Sequence, residues 1–199
     1  MQELLKALHT FTPACEQEER DQALILKMAA LWPESILTRE NEIAHVTSSG
    51  FILSEDGKKT LLVHHNIYHS WSWTGGHADG EPDLLAVALR EAVEETGVQG
   101  LRPLSGQIVS LDILPVWGHE KNGRYVSSHL HLSAAYALCA PEGPVRGAPA
   151  ENSGAAWFDL AQLETVCREP EMTPIYRKII GRALPLIGMA NAFCGHCNF

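Results

Sequence analysis

The sequence predicts an α/β fold, on three observations. Apolar runs of strand length recur between turn signals from residue 45 to residue 158, an amphipathic helix with its own start and stop signals lies among them at 82–97, and helical patterns flank the whole stretch. At 199 residues and 45% hydrophobic content, the chain is sized for one domain with an extension, with enough apolar material for a sizeable core.

Residues 1–44 read as helical, with Leu24, Met28 and Leu31 at helix spacing before Trp32-Pro33 stops the segment. Nothing local covers that apolar stripe, so it is expected to pack on the domain that follows or on a second copy in a homodimer. His45 to Leu53 and Thr60 to His65 are strand-like, and the polar segment Ser54 to Lys59, containing Gly57, turns one into the other. Trp71, Trp73 and Thr74 lead into a glycine loop at Gly75-Gly76. Pro82 suits the first position of the next helix and Gly97 its left-handed stop, while Leu85, Ala88, Leu89, Ala92 and Val93 form the face expected to bury. Ile108 to Val116 and Tyr125 to Leu138 are apolar runs on either side of Asn122-Gly123, a strong hairpin signal. Ala140 to Gly154 is loop, Ala155 to Phe158 a short strand, and Pro174 to Ile187 a closing helix whose interior ends near Pro185. The organisation is a helical extension at 1–44, a domain at 45–190 and a tail at 191–199.

Composition narrows the function. With 15 basic and 24 acidic residues the net charge is −9, so the general surface is not expected to grip nucleic acid, and any phosphate binding must be local. No apolar run approaches the roughly 18 residues of a membrane span, and the first residues lack a basic stretch followed by a long apolar one, so a cytoplasmic location is expected. Five scattered cysteines read as reduced thiols.

Glu91, Glu94 and Glu95 stand at i, i+3 and i+4 and share one helical face. Like charges at that spacing repel by a few tenths of a kcal/mol per pair. Three glutamates alone would suit a solvated face, but the glycine loop before them favours a hard divalent cation, Mg²⁺ or Mn²⁺, which takes carboxylate oxygens and keeps positions for substrate phosphates. Arg90, at i, i+4 from Glu94, could fix that side chain as an ion pair.

The stretch from Gly76 to Val98 resembles the signature of the Nudix hydrolases: a glycine, five residues, a glutamate, seven residues, then Arg-Glu-apolar-any-Glu-Glu-any-Gly-apolar. Gly76, Arg90, Glu91, Ala92, Glu94, Glu95, Gly97 and Val98 are in register. Pro82 stands where the family has its first glutamate, with Glu81 and Asp79 the nearest carboxylates. The resemblance implies a Nudix-type α/β/α sandwich with a mixed β-sheet. It also implies that Glu91, Glu94, Glu95 and the backbone carbonyl of Gly75 hold the metal, and that Arg90 orients them. The implied reaction is cleavage by water of the diphosphate linkage in a nucleoside diphosphate joined to another moiety. Glu91 or Glu94 could be the general base, and Glu151, on a loop downstream, is another candidate. The alternative is a non-catalytic nucleotide-binding or regulatory module on the same fold.

Histidines are frequent near this signature. His77 follows Gly75 by two, where Nudix-fold isopentenyl diphosphate isomerases carry Cys-Gly-His; a glycine in place of the thiol argues against isomerase chemistry. His77, and His129 with His131 on one strand face, are the candidate substrate contacts. Together with His64, His65 and His69 they would make a metal site only if two or more converged with a carboxylate. Cys194-Gly195-His196-Cys197 has the letters of a thiol-disulfide motif but not its βαβ setting, and an inert tail is expected.

Overall fold

Strand Ala44–Ser54 is buried along its whole length, and its side chains alternate between two cores. Ala44, Val46 and Ile52 face one side; Phe51 and Leu53 face the other. The same period of two runs along residues 134–138, where Ala134, Tyr136 and Leu138 join the first core and Ala135 and Ala137 the second. Strands apolar on both faces need a helical layer on each, which is the sandwich architecture.

In this computed structural model, residues 1–66, 69–121, 123–149 and 151–194 are described. The elements are α1 (Gln2–Thr10), α2 (Glu16–Leu31), β1 (Ala44–Ser54), β2 (Lys59–His65), β3 (Ser70–Ser72), β4 (Thr74–His77) and α3 (Leu84–Thr96). They continue with β5 (Arg102–Pro103), β6 (Ser110–Val116), β7 (His119–Lys121), β8 (Arg124–Val126), β9 (His129–Ala140), β10 (Asn152–Asp159), α4 (Leu163–Val166) and α5 (Met172–Cys194). The main sheet runs β10-β2-β1-β9-β5, with β3 on β2, β4 on β1 and β6 on β9. It is mixed, because β1 and β9 are parallel while the other pairs are antiparallel. Helices α1 to α3 contribute to the core on one face, and α5, through Ile175, Tyr176, Ile179, Ala183 and Ile187, fills the other.

The predicted hairpin forms as β1 and β2, with Gly57 at φ 69° in its turn. Asn122-Gly123 was expected to join two long strands. Instead Gly123 lies in a small separate ribbon, β7 with β8, while β6 pairs directly with β9. The strand expected at Ala155 begins earlier, at Asn152, and the closing helix continues through Pro185. Both Pro185 and Gly181, four residues before it, are exposed, so the carbonyl that proline leaves unbonded is open to water.

The helical extension shares the domain core: Leu4, Leu8, Phe11, Ile25 and Ala29 are buried in it. The expected stripe is rotated. Leu24 and Leu31 are 41% and 62% exposed, because Glu18, Ile25 and Ala29 form the buried face. Glu18 takes two hydrogen bonds from Arg182 of α5, at 2.8 and 2.6 Å, and an ion pair from Lys178 at 3.0 Å. Lys178 also reaches Asp112 at 2.7 Å. Burial pushes the Glu18 carboxyl up, but hydrogen bonds from Arg182, the Ala14 N–H and Lys178 more than offset this and hold it below the usual range.

Candidate active site

The glycine loop is β4, laid antiparallel along β1 with Gly75 opposite Ser49 and Gly76 opposite Ser48. Neither position has room for a side chain. A Cβ on Gly75 would lie 2.6 Å from Ser49 Oγ, and one on Gly76 would collide with the Glu91 carboxylate. Gly76 is therefore the floor on which the Glu91 carboxylate rests.

Helix α3 starts at Leu84, two residues later than expected. Asp83 is its N-cap and accepts the Ala86 N–H at 3.1 Å, so Pro82 precedes the cap and is not the first helical residue. An aspartate side chain can satisfy a free helix N–H, which proline at that position could not do. Gly97 ends the helix at φ 62°, as its position predicts. Ser48 Oγ donates to Leu84 O at 2.6 Å and fastens the helix start to β1.

The buried face of α3 also differs from expectation. Leu84, Val87, Ala88, Ala92, Glu95 and Thr96 are buried, whereas Val93 is 43% exposed. The helix is turned so that Glu91 and Glu95 sit against the sheet, and Glu94 faces out. Glu95 accepts the Gly75 N–H at 3.0 Å. Arg90 pairs with Glu91 at 2.9 Å, not with Glu94 as the spacing suggested.

Two of the carboxyls are driven toward protonation. Burial raises Glu95 to about 8; the Gly75 N–H opposes this, and the charges of Glu151, Glu91 and Glu94 add to it. Burial also raises Glu91, against the hydrogen bond and charge of Arg90. Among the described residues no ion pair reaches Glu95. Glu151 is exposed in the turn before β10, and its neighbour Asn152 is buried and donates from Nδ2 to Glu95 O at 3.1 Å. The downstream loop is thus stapled to the end of α3 with Glu151 within electrostatic range of the acidic face.

The two carboxylates nearest the missing box glutamate are engaged elsewhere. Asp79 forms a two-point pair with Arg39 at 2.9 and 2.6 Å, and Glu81 accepts the Asp83 N–H at 2.9 Å. Arg39 itself feels the charges of Asp79, Glu91 and Glu151, so it borders the acidic face. Sequence reasoning did not single it out, because it lies in the helical extension, 40 residues from its partner.

The structure gathers His77, His129 and His131 and adds His45, which the sequence reading passed over as a strand residue. His45 and His131 are paired on parallel β1 and β9. Their ring centroids are 5.2 Å apart, His45 lies 5.0 Å from His77 and 4.9 Å from His129, and His77 lies 5.0 Å from His131. Burial first, and then the neighbouring imidazoles, pushes His131 down to about 2. Burial also lowers His45, against a hydrogen bond with the Asn41 backbone. His64 is elsewhere, bonded to Ser153 Oγ at 2.6 Å and packed on Trp71. Trp71 and Trp73 pack in the core against Phe158 and Tyr176, while Trp117 and Tyr125 are 73% and 71% exposed. Cys15, Cys139 and Cys167 are free thiols, and the Cys194 to Cys197 motif falls outside the described residues beyond the backbone of Cys194. Among the described residues, no helix is long and apolar enough to cross a membrane.

The chain belongs to the NUDIX domain family, whose model matches residues 44–182. Its fold is similar to that of the NUDIX domain of Shewanella oneidensis NrtR, solved with ADP ribose, at 15% identity and a TM-score of 0.51, covering 77% of this chain and 97% of that one. A NUDIX family hydrolase from Clostridium perfringens aligns at 21% identity and a TM-score of 0.47, covering 73% of this chain and 97% of that one. A C. elegans Ap4A hydrolase aligns at 18% identity and a TM-score of 0.43, covering 75% and 97%. No curated protein matches the chain.

Proposed function

We propose that this NUDIX protein is a metal-dependent hydrolase that cleaves the diphosphate linkage of a nucleoside diphosphate joined to another moiety, by attack of water on phosphorus. The observation that carries the reading is the pair Glu91 and Glu95, pressed against Gly75-Gly76 with raised pKa values and no ion pair on Glu95 among the described residues. Family membership supports the same reading. An acidic face on which, among the described residues, Arg90 pairs with Glu91 and no ion pair reaches buried Glu95 fits a hard divalent cation.

Glu91, Glu94, Glu95 and the Gly75 carbonyl would hold Mg²⁺ or Mn²⁺. When bound, that ion would neutralise charge on the diphosphate oxygens and acidify a bound water. Arg90 holds the Glu91 carboxylate in place. Glu91, Glu94 and Glu151 are the candidate proton acceptors; Glu151 is supported by its reach to the acidic face from a loop anchored through Asn152. His77, His129 and His131 would reach the substrate away from the diphosphate, since His77 lies on the sheet face opposite Glu91 and α3 and the three cluster together. Pro82 lies before the α3 cap, so the first box acid has no counterpart in this set.

Nucleoside triphosphates, nucleotide sugars, ADP-ribose and dinucleoside polyphosphates share the scissile unit. Release of phosphate, pyrophosphate or nucleoside monophosphate from such a panel, with Mg²⁺ and with Mn²⁺, tests the proposal. Inactivity across the panel would transfer it to the non-catalytic binding module. The homodimer now rests on the exposed Leu24 and Leu31, and solution mass decides it.

A further inference from the structure

The four clustered histidines have no role in holding the carboxylate-bound ion. Successive residues of a strand point to opposite faces, so Gly76 faces Glu91 and α3 while His77 faces the other side of the sheet. His45 is only 4% exposed and donates from Nδ1 to the Asn41 carbonyl at 2.9 Å. That bond fixes the tautomer and leaves a lone pair on Nε2, which is buried without a hydrogen-bond partner. His129 is oriented in the same way: Nδ1 meets the Ser127 carbonyl at 2.8 Å, and Nε2 lies 3.3 Å from His131 Nε2. Two of the four rings, His45 and His129, are thus steered by a backbone carbonyl on the far nitrogen, the outer support that metal-bound histidines characteristically have.

One ligand atom from each of His45, His77 and His131 lies within 4.8 Å of the other two. Zn–N bonds of ~2.0 Å in a tetrahedron place ligands about 3.3 Å apart, a small side-chain adjustment from that spacing. Imidazole nitrogens select ions of the Zn²⁺, Co²⁺ and Ni²⁺ kind over Mg²⁺. We propose that His45, His77 and His131 form a second metal site, for a Zn²⁺-class ion, distinct from the carboxylate site, with a fourth coordination position beside His129. The parallel pairing of β1 with β9 creates it, because that register sets His45 level with His131.

Co²⁺ is the probe. The full chain, stripped with a chelator, is titrated with Co²⁺ and followed by its visible absorption, then challenged with Zn²⁺. One equivalent of Co²⁺ per chain should give the intense bands of a low-coordinate site, and Zn²⁺ should abolish them. His131→Gln should weaken Co²⁺ binding at least a hundredfold; His77→Gln, on a different strand, should do the same if the first variant does not fold. Glu95→Gln and Cys197→Ser should leave the bands unchanged. Absence of the bands in the wild-type chain, or bands that survive both histidine variants, would overturn the site. So would loss of the bands in Cys197→Ser.

Discussion

Replacing Glu95 by Gln separates the electrostatic cost of the acidic face from its use. The amide keeps the volume of the side chain and an oxygen that can still accept the Gly75 N–H, now 3.0 Å away, while the charge disappears. Burial raises the Glu95 pKa to about 8 in the folded protein, from an ordinary value of 4.5. The folded state therefore binds a proton that the unfolded chain has released between these values, and metal-free stability falls as pH rises from about 4.5 to about 8. At ~1.4 kcal/mol per pKa unit, the variant's advantage above pH 8 is capped at about 5 kcal/mol, and coupling to Glu91 and Glu151 makes ~2–3 kcal/mol the working expectation. For a chain of this size that corresponds to a rise in Tm of roughly 5–10 °C. Thermal melts of chelator-treated wild type and Glu95→Gln at pH 5 and pH 8.5 read it directly: similar Tm at the lower pH, a more stable variant at the higher. Mg²⁺ or Mn²⁺ should restabilise the wild type and not the variant. Turnover should drop on the order of a thousandfold. Equal pH dependence in the two proteins would refute the buried-acid argument, and near-normal turnover at saturating Mg²⁺ would remove the carboxylate face from catalysis.

Further outcomes follow from the same geometry. Gly76→Ala should leave the fold intact, since the clashing atoms are the tip of a glutamate, but push Glu91 aside and weaken Mn²⁺ binding at least tenfold in a calorimetric titration. Glu18→Ala strands Arg182 in a poorly solvated site, leaving Lys178 its pair with Asp112, and should cost about 3–5 kcal/mol in denaturant melts. The Glu18 pKa is lowered in the fold, so its contribution is present above the unfolded carboxylate pKa and lost as pH falls through the folded value; the wild-type and variant stability curves should converge in acid. Tyr176→Phe removes the hydroxyl that accepts the Trp73 N–H at 3.2 Å and should cost about 1–3 kcal/mol by the same measurement.

The acidic helix was legible because its information is local: the stop at Gly97, the spacing of Glu91, Glu94 and Glu95 and the preceding glycines all lie within two dozen residues. Its rotation was not. Leu85, Leu89 and Val93 look like a core stripe by hydrophobicity, yet the sheet takes the neighbouring face, because small residues at Ala88 and Ala92 let the helix approach and the glycines of β4 leave room for Glu91 and Glu95. The histidine cluster was half visible. His129 and His131 share a face at i, i+2, but His45 joins them only through a strand pairing 86 positions apart, and no spacing rule reports that. Arg39 escaped for the same reason.

The bond between Glu18 and Arg182 spans 164 positions, and it sets an order on how the chain can be built. During synthesis α2 emerges early, with one carboxylate on the side it must bury. Docking it on the sheet before α5 exists would place that charge in the core unpaired, so α2 has to wait. Its final seating belongs to the last stage of folding, after residues that are translated more than a hundred positions later have arrived. A protein joined this way is expected to settle both core layers together, because α2 in the first and α5 in the second share that pair.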